Sequence, residues 1–235
     1  MALSFSEKFY LNFIKDHRWR YLTTGLQNTI IIALFAVLIG VAIGFIIAMV
    51  RTTHDKSPRP KWWLSILNFF AKLYLTLIRG TPALIQLMII YYVVFASVDV
   101  NKTLVASIAF GFNSGAYVAE IFRSGIMSID RGQMEAGRSL GLNYSKTMWL
   151  IIMPQAIKNI LPALGNEFIV LLKETSISGY IAIQDLTKGG DIIRSRTYEA
   201  LLPLIAVAFI YLVMVIGLEK LVGLLERRLA RSDYR

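Results

Sequence analysis

The sequence predicts an all-α integral membrane protein, and three observations carry that expectation. Hydrophobic residues make up 56% of the 235 and charged ones only 17%, against about 45–50% and about 25% in soluble domains. Residues 30–50 run 21 positions without a strongly polar side chain, enough for about 30 Å of helix. Lysine and arginine crowd between and after such stretches, where they meet anionic lipid headgroups.

Taken in order, five stretches are long and apolar enough to cross a bilayer: residues 24–50, 83–98, 104–126, 148–172 and 200–221. Residues 1–23 precede them as an amphipathic segment that lies along the surface, with Phe5, Phe9 and Phe13 recurring every four residues. They are not expected to be a cleavable signal peptide, because the apolar run that follows is too long for one. Residues 62–78 are apolar too, but carry Lys72, begin with paired tryptophans and end at the helix-breaking Arg79-Gly80-Thr81-Pro82. They are expected as an interfacial helix leading into the second span, in preference to a sixth crossing. The spans close at about residue 225, and residues 226–235 form a basic tail.

Five crossings put the termini on opposite sides. With the C-terminus inside, 15 of the 25 lysines and arginines fall on the cytoplasmic side and 9 outside, Lys158 lying within the fourth span. The positive-inside bias therefore places the N-terminus outside and the C-terminus in the cytoplasm.

Composition removes several classes of function. Cysteine is absent, so there is no disulfide framework, thiolate metal site or cysteine nucleophile. Only two histidines occur, His17 and His54, both in charged segments, and no metal site is expected. The net charge of +10 does not point to nucleic acid, because no basic patch interleaved with aromatics stands apart from the spans.

Polar groups at membrane depth cost at least ~2.5–3.5 kcal/mol each when ionised, so they need partners or a wet cavity. In the third span Asn113, Tyr117, Glu120 and Ser124 recur at helical spacing and share one face. In the fourth, Asn159, Asn166 and Lys173 repeat every seven residues, with Glu167 and Glu174 one step round. The two stripes either pack against other helices or line a polar cavity. Both signs of charge suit a cavity for a zwitterion, with Asn113, Tyr117, Glu120, Asn166 and Lys173 as candidate ligands. The run Lys173, Glu174, Thr175, Ser176 continues the stripe. Gly40, Gly44, Gly111 and Gly115 are small residues four apart that let helices approach. Pro154, Pro162 and Pro203 imply kinked helices in the fourth and fifth segments.

Between the third and fourth spans, Asp130 is placed to cap a short helix with Gln133 reaching back, and Gly141 suits the left-handed residue that closes one. About ten residues of isolated helix are unstable alone and need a docking surface. Within it Glu135, Ala136, Gly137, then three residues, Gly141, nine residues and Ile151-Ile152-Met153-Pro154 resemble the EAA motif of type I ABC importer permeases. Gly137 stands where the motif has alanine and Met153 where it has leucine; the first costs about 1 kcal/mol of helix propensity and the second conserves volume. Further segments resemble the polar amino acid (histidine, glutamine and arginine type) branch: Ile78-Arg-Gly-Thr-Pro82 with Gln86 and Tyr91-Tyr92, residues 113–123, and Gly165-Asn-Glu-Phe-Ile with Lys173-Glu-Thr-Ser176.

The resemblance implies a five-helix permease subunit of a bacterial inner membrane importer, paired with a second permease subunit, identical or paralogous. Two ABC ATPase subunits and an extracytoplasmic solute-binding protein complete the assembly. It also implies that residues 131–142 form the coupling helix, with Met134, Glu135, Ala136, Gly137, Leu140 and Gly141 engaging the ATPase. The chain itself has no GxxxxGK[ST] phosphate loop, so ATP is expected on the partner and no cofactor or catalytic residue here. An ion-gradient carrier would leave the EAA spacing unexplained. An integral-membrane enzyme lacks any supporting HExxH, GxSxG or paired-carboxylate motif.

Overall fold

A computed structural model describes residues 4–57 and 59–230; the start of the amphipathic segment, residues 1–3, and the end of the basic tail, residues 231–235, lie outside it. Among the described residues every regular element is helical. A short helix α1 (Phe5–Phe9) continues as a π turn to Ile14, and is followed by α2 (Trp19–Lys56), α3 (Trp62–Arg79) and α4 (Ala83–Ile89, with a π turn to Val94). Next come α5 (Lys102–Met127), α6 (Arg131–Ser139), α7 (Tyr144–Thr147), α8 (Met153–Glu174), α9 (Leu186–Thr197) and α10 (Leu201–Ala230).

Three helices are each long and apolar enough to cross a membrane: α2, α5 and α10. The pair α3 and α4 passes that test together, bent by 108° at the Gly80–Pro82 break. Helix α8 has the length, 22 residues or about 33 Å, but is more polar.

Small residues fix the centre of the bundle. On α2 the buried positions include Gly25, Thr29, Ala33, Ala36, Gly40, Gly44, Ala48 and Thr52, a stripe at roughly four-residue spacing. Its middle and later turns pack closely on α5. A methyl added at Gly44 would lie 2.5 Å from Val118 Cγ1, and one added at Gly111 would lie 2.7 Å from Ile39. The glycine pairs thus do what their spacing predicts, letting two backbones approach where dispersion rather than water drives association. The first turns of α2 carry α9 in the same way, with Gly25 against the Asp185 backbone and Gly189 against that of Tyr21.

At this α9 end, the Ser4–Glu7 capping box starts α1. Phe13 is buried with Leu22, Leu186, Ile193 and Val207, so only part of the Phe5, Phe9, Phe13 stripe stays outside: Phe5 is exposed, as is Phe9. The turn into α2 uses left-handed Asp16 and His17, held by Arg18, which donates to Leu11 O and to Asp16 Oδ2. Helix α2 begins there, at Trp19, ahead of the expected residue 24.

Residues 62–78 emerge as the separate helix α3, which leads into α4 across the break. Tyr74 OH donates to Phe112 O, level with the middle of α5. Leu64, Asn68, Ala71 and Leu75 bury one face of α3. Helix α3 therefore packs on α5 through that face, while Phe69, Leu73 and Leu77 on its other side stay exposed.

Prolines behave as their chemistry requires. Pro154 lies in the first turn of α8, directly after a π turn at Met148–Ile152 that takes up the irregularity a proline brings to a helix. Pro162 stays within a continuous α8.

Candidate functional site

Two groups of residues carry chemistry: the connecting helix α6 and the polar side chains between helices.

Helix α6 starts where Asp130 Oδ1 accepts from Gly132 N at 2.7 Å. The cap is one-sided, since no bond returns from the Gln133 side chain. It ends at Gly141, whose φ of +84° is the left-handed region that glycine enters freely. Leu142 N donates to Gly137 O at 3.2 Å and Gly141 N to Arg138 O at 3.0 Å, satisfying carbonyls the helix end would otherwise orphan. Two positions dock the helix. Met134 packs on the cluster that contains Met148, Ile152 and Met153, and Gly137 is buried against Thr147 and Ile151. A methyl at Gly137 would come within 2.6 Å of Thr147 Cγ2 and 3.0 Å of Ile151 Cδ1. That is the physical reason for glycine where the motif has alanine: the residues roughly ten to fourteen positions on are the surface α6 lies on. Glu135, Ala136 and Gly141 are exposed, and Leu140 is 82% exposed. An apolar side chain so open at the tip of a polar helix is a contact waiting for a surface.

Among the polar stripes, the structure gathers fewer of the expected residues than their spacing suggests. Asn113, Tyr117 and Glu120 do share one face of α5, but that face is turned toward α2, α3 and α4 rather than α8. Asn113 is buried and donates to Gln86 Oε1 at 2.9 Å. Gln86 Nε2 in turn donates to Ile78 O, Thr81 O and Thr81 Oγ1 at 2.7–3.0 Å, so this pair supplies hydrogen bonds that the α3–α4 break lacks. Glu120 meets three arginines, with Arg51 Nη1 at 3.1 Å, Arg123 Nε at 3.5 Å and Arg79 Nη1 at 3.7 Å. Tyr117 is exposed.

The direct polar link from α5 to α8 near mid-bundle comes from a residue the periodicity does not single out: Ser114 Oγ donates to Glu167 Oε1 at 2.8 Å. Glu167 is half-buried and makes no ion pair among the described residues. Asn159 donates to Ser128 Oγ at 2.9 Å, while Asn166 and Lys173 are exposed and Glu174 is half-buried. Thr175 is buried, donating to Leu172 O. Ser176 belongs to a separate cavity of about 510 Å³ at the α9 end, beside Tyr180, Lys188, Asp191 and Arg194. The charged trio Lys188, Asp191 and Arg194 there pairs internally.

With this geometry in place, comparison with known proteins decides the class. The family described as "binding-protein-dependent transport system inner membrane component" matches residues 61–231. The chain belongs to that family. It is similar to a putative glutamine transport system permease protein GlnP of Rickettsia bellii, 35% identical over 214 residues that cover 90% of this chain and 94% of that protein. It is also 34% identical over 232 residues to the L-cystine transport system permease protein TcyB of Bacillus subtilis, covering 98% and 95% of the two chains. The crystal structure of an amino acid ABC transporter with histidines superposes with a TM-score of 0.82 at 41% identity, covering 97% of this chain and 100% of that one. The MetNI methionine ABC transporter in an inward-facing conformation shares the fold, with a TM-score of 0.76 at 17% identity over 89% and 96% of the chains. This member of the binding-protein-dependent family is therefore a multi-pass permease subunit of the inner membrane with the type I importer fold, not an enzyme. Membership implies ATPase and permease partners.

Proposed function

We propose that this permease carries a polar amino acid inward by alternating access, driven by a partner ATPase that grips α6. The single observation that carries the coupling role is the two-sidedness of α6: Met134 and Gly137 fasten it to the start of α8, while Glu135, Ala136 and Leu140 face outward. A force on the exposed side is thereby delivered to α8. Coupling requires two arrangements that ATP and loaded binding protein bias in turn.

On this reading the α6 end is cytoplasmic, the N-terminus lies outside and the chain crosses five times, α8 and the broken α3–α4 pair included. The excess of lysine and arginine around α6 and the tail supports that orientation. The assembly contains two permease subunits, identical or paralogous, two ATPases that bind the ATP, and an extracytoplasmic solute-binding protein. Relatives named for glutamine, L-cystine and arginine support a polar amino acid as cargo. Glu167 is the favoured anchor for its ammonium group, being a half-buried carboxylate that accepts from Ser114 and makes no ion pair among the described residues; Asn166 and Lys173 supply exposed polar groups on the same helix.

The experiment is reconstitution with the ATPase and binding protein in vesicles and uptake of labelled amino acids. Gly141→Asp and Glu135→Lys are expected to abolish ATP-driven uptake and loosen the ATPase. Unchanged uptake and assembly in both would remove α6 from the mechanism. A cysteine introduced at Ser139 that reacts only with outside reagents would reverse the orientation.

A further inference from the structure

The geometry points to a site for the phosphate of an anionic phospholipid in the cleft between α2, α3 and α5. This cleft, of about 500 Å³, is lined by Arg51, Lys72, Leu75, Thr76, Arg79 and Glu120. Three cations thus face one carboxylate. Glu120 is taken up mainly by Arg51, whose Nη1 lies 3.1 Å away. Arg79 stands at 3.7 Å, beyond hydrogen-bond distance, and Lys72 makes no ion pair or hydrogen bond among the described residues. Arg51 Nε is buried with no acceptor. Donors therefore outnumber acceptors around a space large enough for a headgroup. A phosphate diester presents several anionic oxygens within the reach of one cluster, and guanidinium groups bind such oxygens through charge-assisted bonds.

Depth and surroundings select a lipid over a solute. Glu120 lies seven residues before the last residue of α5, Met127, about 10 Å along the axis, which is near the headgroup zone at the α6 end. Beside Lys72, the outer face of α3 is apolar: Phe69, Leu73 and Leu77 are 62%, 42% and 55% exposed. Acyl chains laid on that face bring the phosphate to Lys72 and the two arginines. Basic pockets between membrane helices are a recurring form of anionic-lipid recognition. The bound phosphate would also sit beside Arg79, directly before the α3–α4 break, and so steady the bend.

The test is native mass spectrometry of the full chain in a non-ionic detergent, titrated separately with phosphatidylglycerol, phosphatidylethanolamine and inorganic phosphate. Phosphatidylglycerol is expected to bind at least fivefold more tightly than phosphatidylethanolamine. Lys72→Gln is expected to weaken it about fivefold, Lys72→Arg to preserve it, and Lys220→Gln, on exposed α10, to leave it unchanged. Lys72 is exposed and without a partner among the described residues, so its variants keep the fold and Lys72→Gln decides. Equal binding of the two lipids, or phosphatidylglycerol binding that ignores Lys72→Gln, overturns the site. Millimolar phosphate that binds with the same dependence on Lys72 and displaces the lipid assigns the cleft to a free anion and overturns the lipid.

Discussion

The bare Cα of Gly137 faces Thr147 so closely that an added methyl would sit 2.6 Å from Thr147 Cγ2. Thr147 is fully buried and its hydroxyl is committed to Asn143 O at 3.0 Å, so it has no easy retreat. Gly137→Ala, which would gain about 1 kcal/mol of helix propensity, is expected instead to lose about 1–3 kcal/mol through overpacking. It should cut ATP-driven uptake as α6 lifts from its seat. Thr147→Ser removes Cγ2 while keeping the hydroxyl, and the double variant should recover most of the loss. Thermal unfolding and vesicle uptake of the four proteins in the cycle check this.

Asp185 carries a pH dependence. Its carboxylate caps α9 by accepting from Lys188 N at 2.8 Å and also accepts from Gly179 N at 2.9 Å. Burial nevertheless wins over these bonds and pushes its pKa up to about 6 from 3.8. Because the folded value is the higher one, the stabilising contribution is complete below about pH 4 and is lost as pH rises through about 6. The shift corresponds to about 3 kcal/mol. Thermal stability of the wild type should therefore fall between about pH 4 and pH 6, and that slope should flatten in Asp185→Asn. Asparagine also turns an N–H toward one of the two backbone donors, so the variant should be less stable near pH 4 by about 1–3 kcal/mol.

Gln86 and Asn113 hold the α3–α4 break together. Gln86→Leu leaves the Ile78 and Thr81 carbonyls without that donor and Asn113 Nδ2 without its acceptor, at about 1–3 kcal/mol for an unsatisfied buried group. Gln86→Leu with Asn113→Leu should cost less than the sum of the two single changes, because each removes the other's orphan. Unfolding midpoints in detergent measure the coupling.

What the sequence conveys and what it withholds divide along physical lines. Local chemistry is readable: residues 104–126 emerge as Lys102–Met127 behind an Asn101 cap, Asp130 and Gly141 bound α6, and the glycine pairs lie where α2 meets α5. Periodicity says which side chains share a face but not what that face meets. The stripe of Asn113 and Glu120 is therefore right as a stripe, yet its partners are Gln86 and Arg51. Arg51 stands 69 positions from Glu120, a pairing no local pattern encodes. Ser114, one residue off the stripe, has the look of ordinary small-residue packing. Helix α9 is hidden by its polarity, though Leu186 and Ile193, seven apart behind Asp185, are the signal for a capped helix with one buried face.

Glu120 also permits a test that separates a structural carboxylate from a binding one. Arg51, Arg79 and Arg123 converge on it, and Arg123 reaches Asp55 as well at 3.6 Å. Removing the charge leaves three guanidinium groups with less to neutralise them. Loss of one member of a buried pair costs about 3–5 kcal/mol, but the Glu120 side chain is 33% exposed, so screening reduces that to about 1–2 kcal/mol. Glu120→Gln should therefore lower the unfolding midpoint, more so at low salt than at high, while the KM for uptake stays within about twofold of the wild type. Glu167→Gln should show the reverse: the amide oxygen of the variant can still accept from Ser114, so stability holds, but the ammonium loses its counter-charge and KM rises about tenfold or more. A raised KM with unchanged stability in Glu120→Gln would return that residue to the substrate path and contradict the assignment of Glu120 to the arginine cluster.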